Sequence, residues 1–354
     1  MTVLVTGGAG YVGSHVTHAL LDRGECVVVL DNLSTGLRGL VGEEAVFVEG
    51  DAGDETLLRI LIADHGVDAI LHFAGSIVVP DSVREPLAYY ANNTVVSRTL
   101  IETAIACGVK HFIYSSTATV YASDAKQPLG EDSPKEPVSP YARSKLMTEW
   151  MIEDATHAHD FRAITLRYFN VAGADPRGRS GQASRKATHL IKRAAQAALG
   201  RISCLDIFGT DYPTPDGTGV RDYIHVSDLA NAHLLALDAL RRGAPTSVFN
   251  CGYGRGASVR EVIAAVERVS GKTLTVRESG RRPGDPPTLI ADPTRLKTVL
   301  SWKPEHDDLD EIVRSALAWE RRFNAGEENE AATGAAAERF PAAARLRARS
   351  AGKV

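Results

Sequence analysis

The stretch Val3-Leu4-Val5-Thr6-Gly7-Gly8-Ala9-Gly10-Tyr11-Val12-Gly13 is an apolar run that stops at a cluster of glycines and restarts as a helix. It predicts a strand, a tight turn and a helix N-terminus. Gly7 can take the backbone angles the turn needs, Gly10 lets the main chain come close to a pyrophosphate, and Gly13 lets helix and strand pack tightly. The unpaired N–H groups and the dipole of that helix would face the phosphates. Glycine turns that bind nothing are also common, so the next strand decides the reading. Val27-Val28-Val29-Leu30 ends in Asp31, at the spacing where a carboxylate accepts hydrogen bonds from an adenine ribose. An acid there repels a 2′-phosphate and favours NAD over NADP; a strand-end turn former is the plainer role for the same residue.

Apolar runs alternate with helical patterns from this point on, which is the signature of βαβ units and a parallel sheet. Strands are expected at 3–7, 27–31, 45–50, 69–74, 111–116 and 163–169, with helices at 11–23, 54–65, 85–107 and 141–158. Right-handed crossovers would place helices on both faces and the ligand crevice at the carboxyl ends of the strands. The fold class is therefore α/β, a doubly wound (Rossmann-type) parallel sheet over residues 1–171. A smaller C-terminal mixed α/β domain, 172–323, carries glycine- and proline-rich segments at 172–184 and 209–219 and helices at 188–199, 227–241, 258–269 and 308–323, some segments returning to the first domain. Residues 324–354 form an Ala-, Arg- and Glu-rich tail expected to be flexible or a short surface helix.

With 354 residues the chain can bury a large core, and a formal charge of −4 gives no general attraction to nucleic acid or to an anionic membrane. An anionic ligand would have to be held by a few locally placed arginines. No apolar run reaches the length of a membrane span and no signal-peptide pattern opens the chain, so a cytoplasmic protein is expected. Cys26, Cys107, Cys204 and Cys251 form no Cys-x-x-Cys pair and are expected to be reduced and mostly buried. His157-Ala158-His159-Asp160 reads as a solvated helix end rather than a metal site.

Ser139-Pro140-Tyr141-Ala142-Arg143-Ser144-Lys145 places Tyr141 and Lys145 four apart at the start of a helix, on one face. A tyrosine ionises near pH ~10, but a neighbouring ammonium favours its phenolate, so Tyr141 could exchange a proton with a substrate hydroxyl. Such a pair can be a surface accident. Here it follows a dinucleotide fingerprint and a strand ending Ser115-Ser116-Thr117, whose last hydroxyl could complete a proton path or simply cap the strand. Asn92, after Pro86, is polar in a helical run and could hold backbone or water near Lys145, or be solvated.

These residues, with Asp31-Asn32, Gly50-Asp51, Phe73-Ala74-Gly75, Tyr89-Tyr90-Ala91-Asn92-Asn93, Ser115 to Tyr121 and Arg167-Tyr168-Phe169-Asn170, resemble the extended short-chain dehydrogenase/reductase family. Ile207 to Val226 and Arg281-Arg282-Pro283-Gly284-Asp285 narrow the resemblance to its UDP-glucose 4-epimerase group, from Met1 to about Phe323. The resemblance implies an NAD site lined by Gly7, Gly10, Tyr11, Val12, Gly13, Asp31, Asn32, Asp51, Ala52, Phe73, Ala74, Gly75, Asn92, Tyr141, Lys145 and Phe169, with Asp51 reaching the adenine edge. It implies that Thr117, Asn170, His189, Leu190, Phe208, Arg221, Tyr223, Arg282 and Asp285 hold a UDP-hexose, the arginine forks on its phosphates. Surface salt bridges are the ordinary alternative for those arginines.

The implied catalytic residues are Tyr141, Lys145 and Thr117. Tyr141 would take the proton of the sugar 4-hydroxyl as its C4 hydride passes to a permanently held NAD, Thr117 bridging and Lys145 holding the nicotinamide ribose. The 4-keto sugar would turn over and take the hydride back with C4 inverted. The resemblance also implies a homodimer built on the helices at 85–107 and 141–158. Thr117 replaces a common serine, Ile77 stands where some members carry lysine, and Leu289 stands where a tyrosine limits some members to plain sugars. UDP-N-acetylglucosamine is thus a second candidate substrate. A 4,6-dehydratase would need an acidic pair after the hydroxyl residue, where this chain has Ala118-Thr119. A non-catalytic dinucleotide sensor would have no need of Tyr141, Lys145 and Thr117 together.

Overall fold

The computed structural model describes residues 1–184, 188–282 and 284–337, with backbone only for 324–337. Strand β1, Thr2–Thr6, alternates its apolar side chains: Val3 and Val5 enter one buried cluster, Leu4 the opposite one. A strand apolar on both faces belongs in the middle of a covered sheet, and β1 lies there. It pairs in parallel with β2, Cys26–Asp31, and with β4, Val67–His72. The sheet has seven strands: the edge strand Ser247–Cys251, then β6 (Arg162–Tyr168), β5 (His111–Thr117), β4, β1, β2 and β3 (Val46–Glu49), all parallel. The order reverses between β1 and β4, where a crevice opens at the carboxyl ends of the strands.

Helix Tyr11–Asp22 and helix Val226–Arg241 pack together on one face, sharing a core with Val16, Leu20, Leu229 and Leu237. On the other face Leu58, Ile62, Leu100 and Ile152 meet Val28, Ile70, Phe112 and Phe161. Truncating a fully buried side chain in either layer, such as Leu4, costs about 2–5 kcal/mol. The doubly wound sheet read from the sequence is therefore present. Its seventh strand was missed, because Ser247-Val248-Phe249-Asn250-Cys251 is short and its pairing partner β6 lies far away in sequence.

The helix expected at 85–107 is broken. Pro86–Tyr89 and Val96–Ala106 are α-helical, and Tyr90–Val95 between them is a π-helix, preceded by a separate helix Val79–Arg84. Beyond residue 169, short strands pair locally: Asn170–Ala172 with Tyr223–His225, Leu205–Phe208 with Val276–Ser279, and Val220–Arg221 between Ala257–Ser258 and Thr288–Leu289. The helix expected at 308–323 runs from Leu309 to Ala337, into the tail, whose residues 338–354 lie outside the described residues. Of the cysteines only Cys251 is buried; Cys26 is exposed and Cys107 and Cys204 are half-buried, since the last two sit on or beside surface turns. No helix among the described residues is long and apolar enough to cross a membrane.

Candidate active site

The glycine turn is built against the end of β4. Gly7 has φ 74, and a Cβ on it would lie 2.5 Å from the Ala74 nitrogen. A Cβ on Gly13 would lie 2.2 Å from the Gly7 carbonyl oxygen, so glycine alone lets the helix start this close to β1. Gly10 occupies the N-cap in extended backbone and offers no side-chain cap, which leaves the first N–H groups of helix Tyr11–Asp22 facing the crevice. Asp31 at the end of β2 accepts from Ala9 N (2.9 Å) and Leu33 N (2.8 Å), and a carboxylate has room for further donors. Asn32 donates to Asp51 at 3.2 Å, with Ala52 buried beside it. Phe73, Ala74 and Gly75 follow β4, and Phe73 packs on His233 with ring centroids 5.0 Å apart. This cradle, its dipole and its ribose-level acid fit a dinucleotide with a pyrophosphate at the helix N-terminus.

Tyr11 and Val12 open the helix, but the Tyr11 hydroxyl is already committed, donating to the Gly173 carbonyl at 2.7 Å. Asn92 donates to Ser76 Oγ at 2.9 Å. Its neighbour Asn93, which the sequence reading passed over, does more: its oxygen accepts from Ser76 N at 2.7 Å and its amide donates to the Ser76 carbonyl and Ser144 Oγ, both at 3.0 Å. The π-helix turns both asparagines onto this segment, which a regular helix spacing would not. Phe169 is buried with Ala118, Tyr121, Leu146 and Leu289.

Ser139 caps the helix Pro140–Ala158 by accepting from Ala142 N, with proline at the first position. Tyr141 and Lys145 come off its first turns, and both are buried with Thr117, at the end of β5. The Thr117 hydroxyl lies close enough to the Tyr141 phenol to lower its pKa and is 3.1 Å from Thr119 Oγ1. The expected effect of Lys145 on Tyr141 is not found. Burial pushes the phenol up to about 12, only partly offset by Thr117, so Tyr141 is protonated at neutral pH. Lys145 donates instead to the Ser115 carbonyl at 2.8 Å and sits 4.9 Å above the Tyr114 ring, and burial lowers it to about 8.

In the C-terminal segments Arg221 pairs with Asp285, and Arg282 lies 3.8 Å over the Phe208 ring. Tyr223 is buried beside the Arg221–Asp285 pair. Strand pairing of Leu289 with Arg221 and of Asn170 with Tyr223 brings these segments together. Pro283, within this motif, lies outside the described residues. His189 and Leu190 begin the helix Leu190–Ala198; among the described residues His189 meets Gln182 at 3.4 Å, and no bond joins it to the arginine group. The sequence reading also missed Asp222, a buried carboxylate accepting from Tyr253 N, Gly254 N and Ala291 N, which burial raises to about 6. His157 and Asp160 sit at an exposed helix end, Asp160 paired with Lys110. Among the described residues no group of His, Cys, Asp or Glu gathers as metal ligands would.

Residues 3–252 match the model of the NAD dependent epimerase/dehydratase family. The chain belongs to that family. It is 56% identical over 337 residues to a UDP-glucose 4-epimerase from Azospirillum brasilense, covering 95% of this chain and 97% of that one. Among solved structures it is similar to a UDP-glucose 4-epimerase from Brucella ovis in complex with NAD: TM-score 0.87, 41% identity, 90% of this chain and 97% of that one. A UDP-glucose 4-epimerase from Bifidobacterium longum in complex with NAD+ and UDP gives a TM-score of 0.86 at 36% identity, covering 91% and 98%.

Proposed function

We propose that this epimerase-family chain is an NAD-dependent UDP-glucose 4-epimerase, interconverting UDP-galactose and UDP-glucose. The observation that carries the reading is the burial of Tyr141, Thr117 and Lys145 together at the carboxyl end of β5. Gly7, Gly10, Tyr11, Val12, Gly13, Asp31, Asn32, Asp51, Ala52, Phe73, Ala74, Gly75, Asn92 and Phe169 would hold NAD, whose chemistry when bound is reversible hydride acceptance at C4.

The chain's own residues handle the proton and the orientation. With the Tyr141 phenol protonated at rest, loss of its proton requires positive charge drawn toward it, a role we assign to Lys145, four residues on along the same helix. Tyr141 Oη then takes the proton of the sugar 4-hydroxyl through Thr117 and returns it after inversion. Arg221 and Arg282 hold the diphosphate, with Asn170, His189, Leu190, Phe208, Tyr223 and Asp285 around the nucleotide half. Firm contacts on UDP and few on the hexose leave the sugar free to present either face. The exclusion of water by burial around Tyr141 protects the transient 4-keto sugar.

Exposed Met147 and Trp150 on helix Pro140–Ala158, with exposed Val83, Leu87 and Val95 on the helical segments beside it, support a homodimer through this face. The sugar-nucleotide substrate and the unpaired cysteines support a cytoplasmic location. The deciding experiment is to incubate the purified chain with UDP-galactose, without added NAD, and follow the anomeric protons by NMR. A stable mixture with UDP-glucose is expected; no change even with NAD supplied rejects the reading.

A further inference from the structure

We infer that Glu149 is a positioning residue for proton transfer at Tyr141, acting with Arg167 to clamp the end of β5 to the helix that carries Tyr141 and Lys145; the inference rests on the epimerase reading. Two successive residues of β5 are bonded to that helix. The Ser115 carbonyl accepts from Lys145 at 2.8 Å and the Ser116 hydroxyl donates to Glu149 Oε1 at 2.5 Å, while Thr117, next along the strand, is near enough to Tyr141 to lower its pKa. Tyr141, Lys145 and Glu149 fall on one helix face at intervals of four. Arg167, from β6, grips Glu149 with both arms of its fork, Nε to Oε1 at 3.1 Å and Nη2 to Oε2 at 2.6 Å.

Glu149 is 7% exposed and Arg167 2%. Burying such a pair is expensive, and apolar side chains of equal volume commonly give as much stability. What apolar residues could not supply here is directed bonds at the strand end and an anion one turn from Lys145. The groups facing Lys145 are the Tyr114 ring and Ser115 carbonyl on β5, His72 on β4, Asn93 across Gly75, and Tyr141 and Glu149 on its own helix. His72 is held neutral by burial, so Glu149 is the charge that opposes the desolvation of Lys145.

Arg167 extends the clamp. Its Nη1 donates to Tyr121 Oη at 2.8 Å and to the Glu131 carbonyl at 2.9 Å, and Tyr121 donates to Asn250 Oδ1 at 2.7 Å. Asn250 donates to the Leu129 carbonyl at 2.8 Å, and Leu129 N donates to the carbonyl of Ile290, next to Leu289. One chain of buried bonds therefore ties the helix of Tyr141 to the segment beside Arg221.

The test compares the full wild-type chain with Ser116→Ala, which removes one hydroxyl, and Glu149→Gln, which removes the anion. With UDP-galactose, kcat should fall about tenfold and about a hundredfold respectively, with KM within about twofold. Independently of substrate, the pH dependence of Lys145 acetylation, read by peptide mass spectrometry, should keep its midpoint in Ser116→Ala. It should move to lower pH in Glu149→Gln and return toward wild type in Glu149→Asp, a response that a purely structural role would not produce. An unmoved midpoint in folded Glu149→Gln, or a kcat within about twofold of wild type in Ser116→Ala, overturns the inference. If Glu149→Gln does not fold, Ser116→Ala still decides. If the wild-type chain does not turn over UDP-galactose, the epimerase reading fails while the Lys145 midpoint still reports on Glu149.

Discussion

Lys145 donates its ammonium to the carbonyl of Ser115 at 2.8 Å, one helical turn beyond Tyr141, in a site where burial lowers its pKa to about 8. In the unfolded chain that pKa is about 10.4. At pH 7 the residue is charged in both states, so the folded chain carries the cost of burying the charge, on the order of 3 kcal/mol. Between the two values the unfolded chain binds a proton that the folded one lacks, and stability rises with pH.

Lys145→Met should therefore be more stable than wild type at pH 7, by about 1–3 kcal/mol, while losing epimerase activity. Urea denaturation at pH 7 and at pH 9.5 checks it: the gain should shrink at the higher pH. A variant that is destabilised at pH 7, or whose gain grows with pH, contradicts the assignment.

Thr117 is the hydroxyl that lowers the raised pKa of Tyr141. Thr117→Val keeps the shape and removes that hydroxyl, so kcat should drop about 10²-fold with KM for the sugar nucleotide nearly unchanged. Thr117→Ser should retain most of the activity. Equal loss in both variants would mean that the methyl group, not the hydroxyl, matters.

The packing of Gly13 against the Gly7 carbonyl leaves no space for a methyl group, since a Cβ would come within 2.2 Å of that oxygen. Gly13→Ala must push the helix from β1, costing about 1–3 kcal/mol and spoiling the pyrophosphate cradle. Differential scanning calorimetry and the NAD content of the purified variant give the two readouts; a variant with wild-type NAD content refutes the cradle's role.

Leu289 is register partner to Arg221 and shares a buried cluster with Phe169 and Ala118, the residue after Thr117. That places it between the arginine group and the proton-transfer site. We expect the wild-type chain to epimerise UDP-N-acetylglucosamine, and Leu289→Tyr to lower kcat/KM for it at least about tenfold while sparing UDP-galactose. Side-by-side NMR assays of both sugars decide this, and absence of any N-acetyl turnover in wild type sinks it.

The parts legible in the sequence were those written in short windows. The glycine turn, Asp31 closing β2, and Tyr141 with Lys145 after a Ser-Pro helix start are each local patterns with a local physical cause. The alternation of strands and helices was enough for a doubly wound sheet. What only the tertiary structure decided depended on residues far apart in the chain or on burial. The strand Ser247–Cys251 is defined by pairing with β6, and Glu149 and Arg167 become partners only when helix and strand are stacked. The π-helix at Tyr90–Val95 gives Asn93 a place that a regular helix would not. The protonation of Tyr141 turned on the same distinction: its spacing from Lys145 follows from helix geometry, but desolvation is a property of everything packed around the phenol, and here it raises the phenol while Lys145 is bonded to the Ser115 carbonyl.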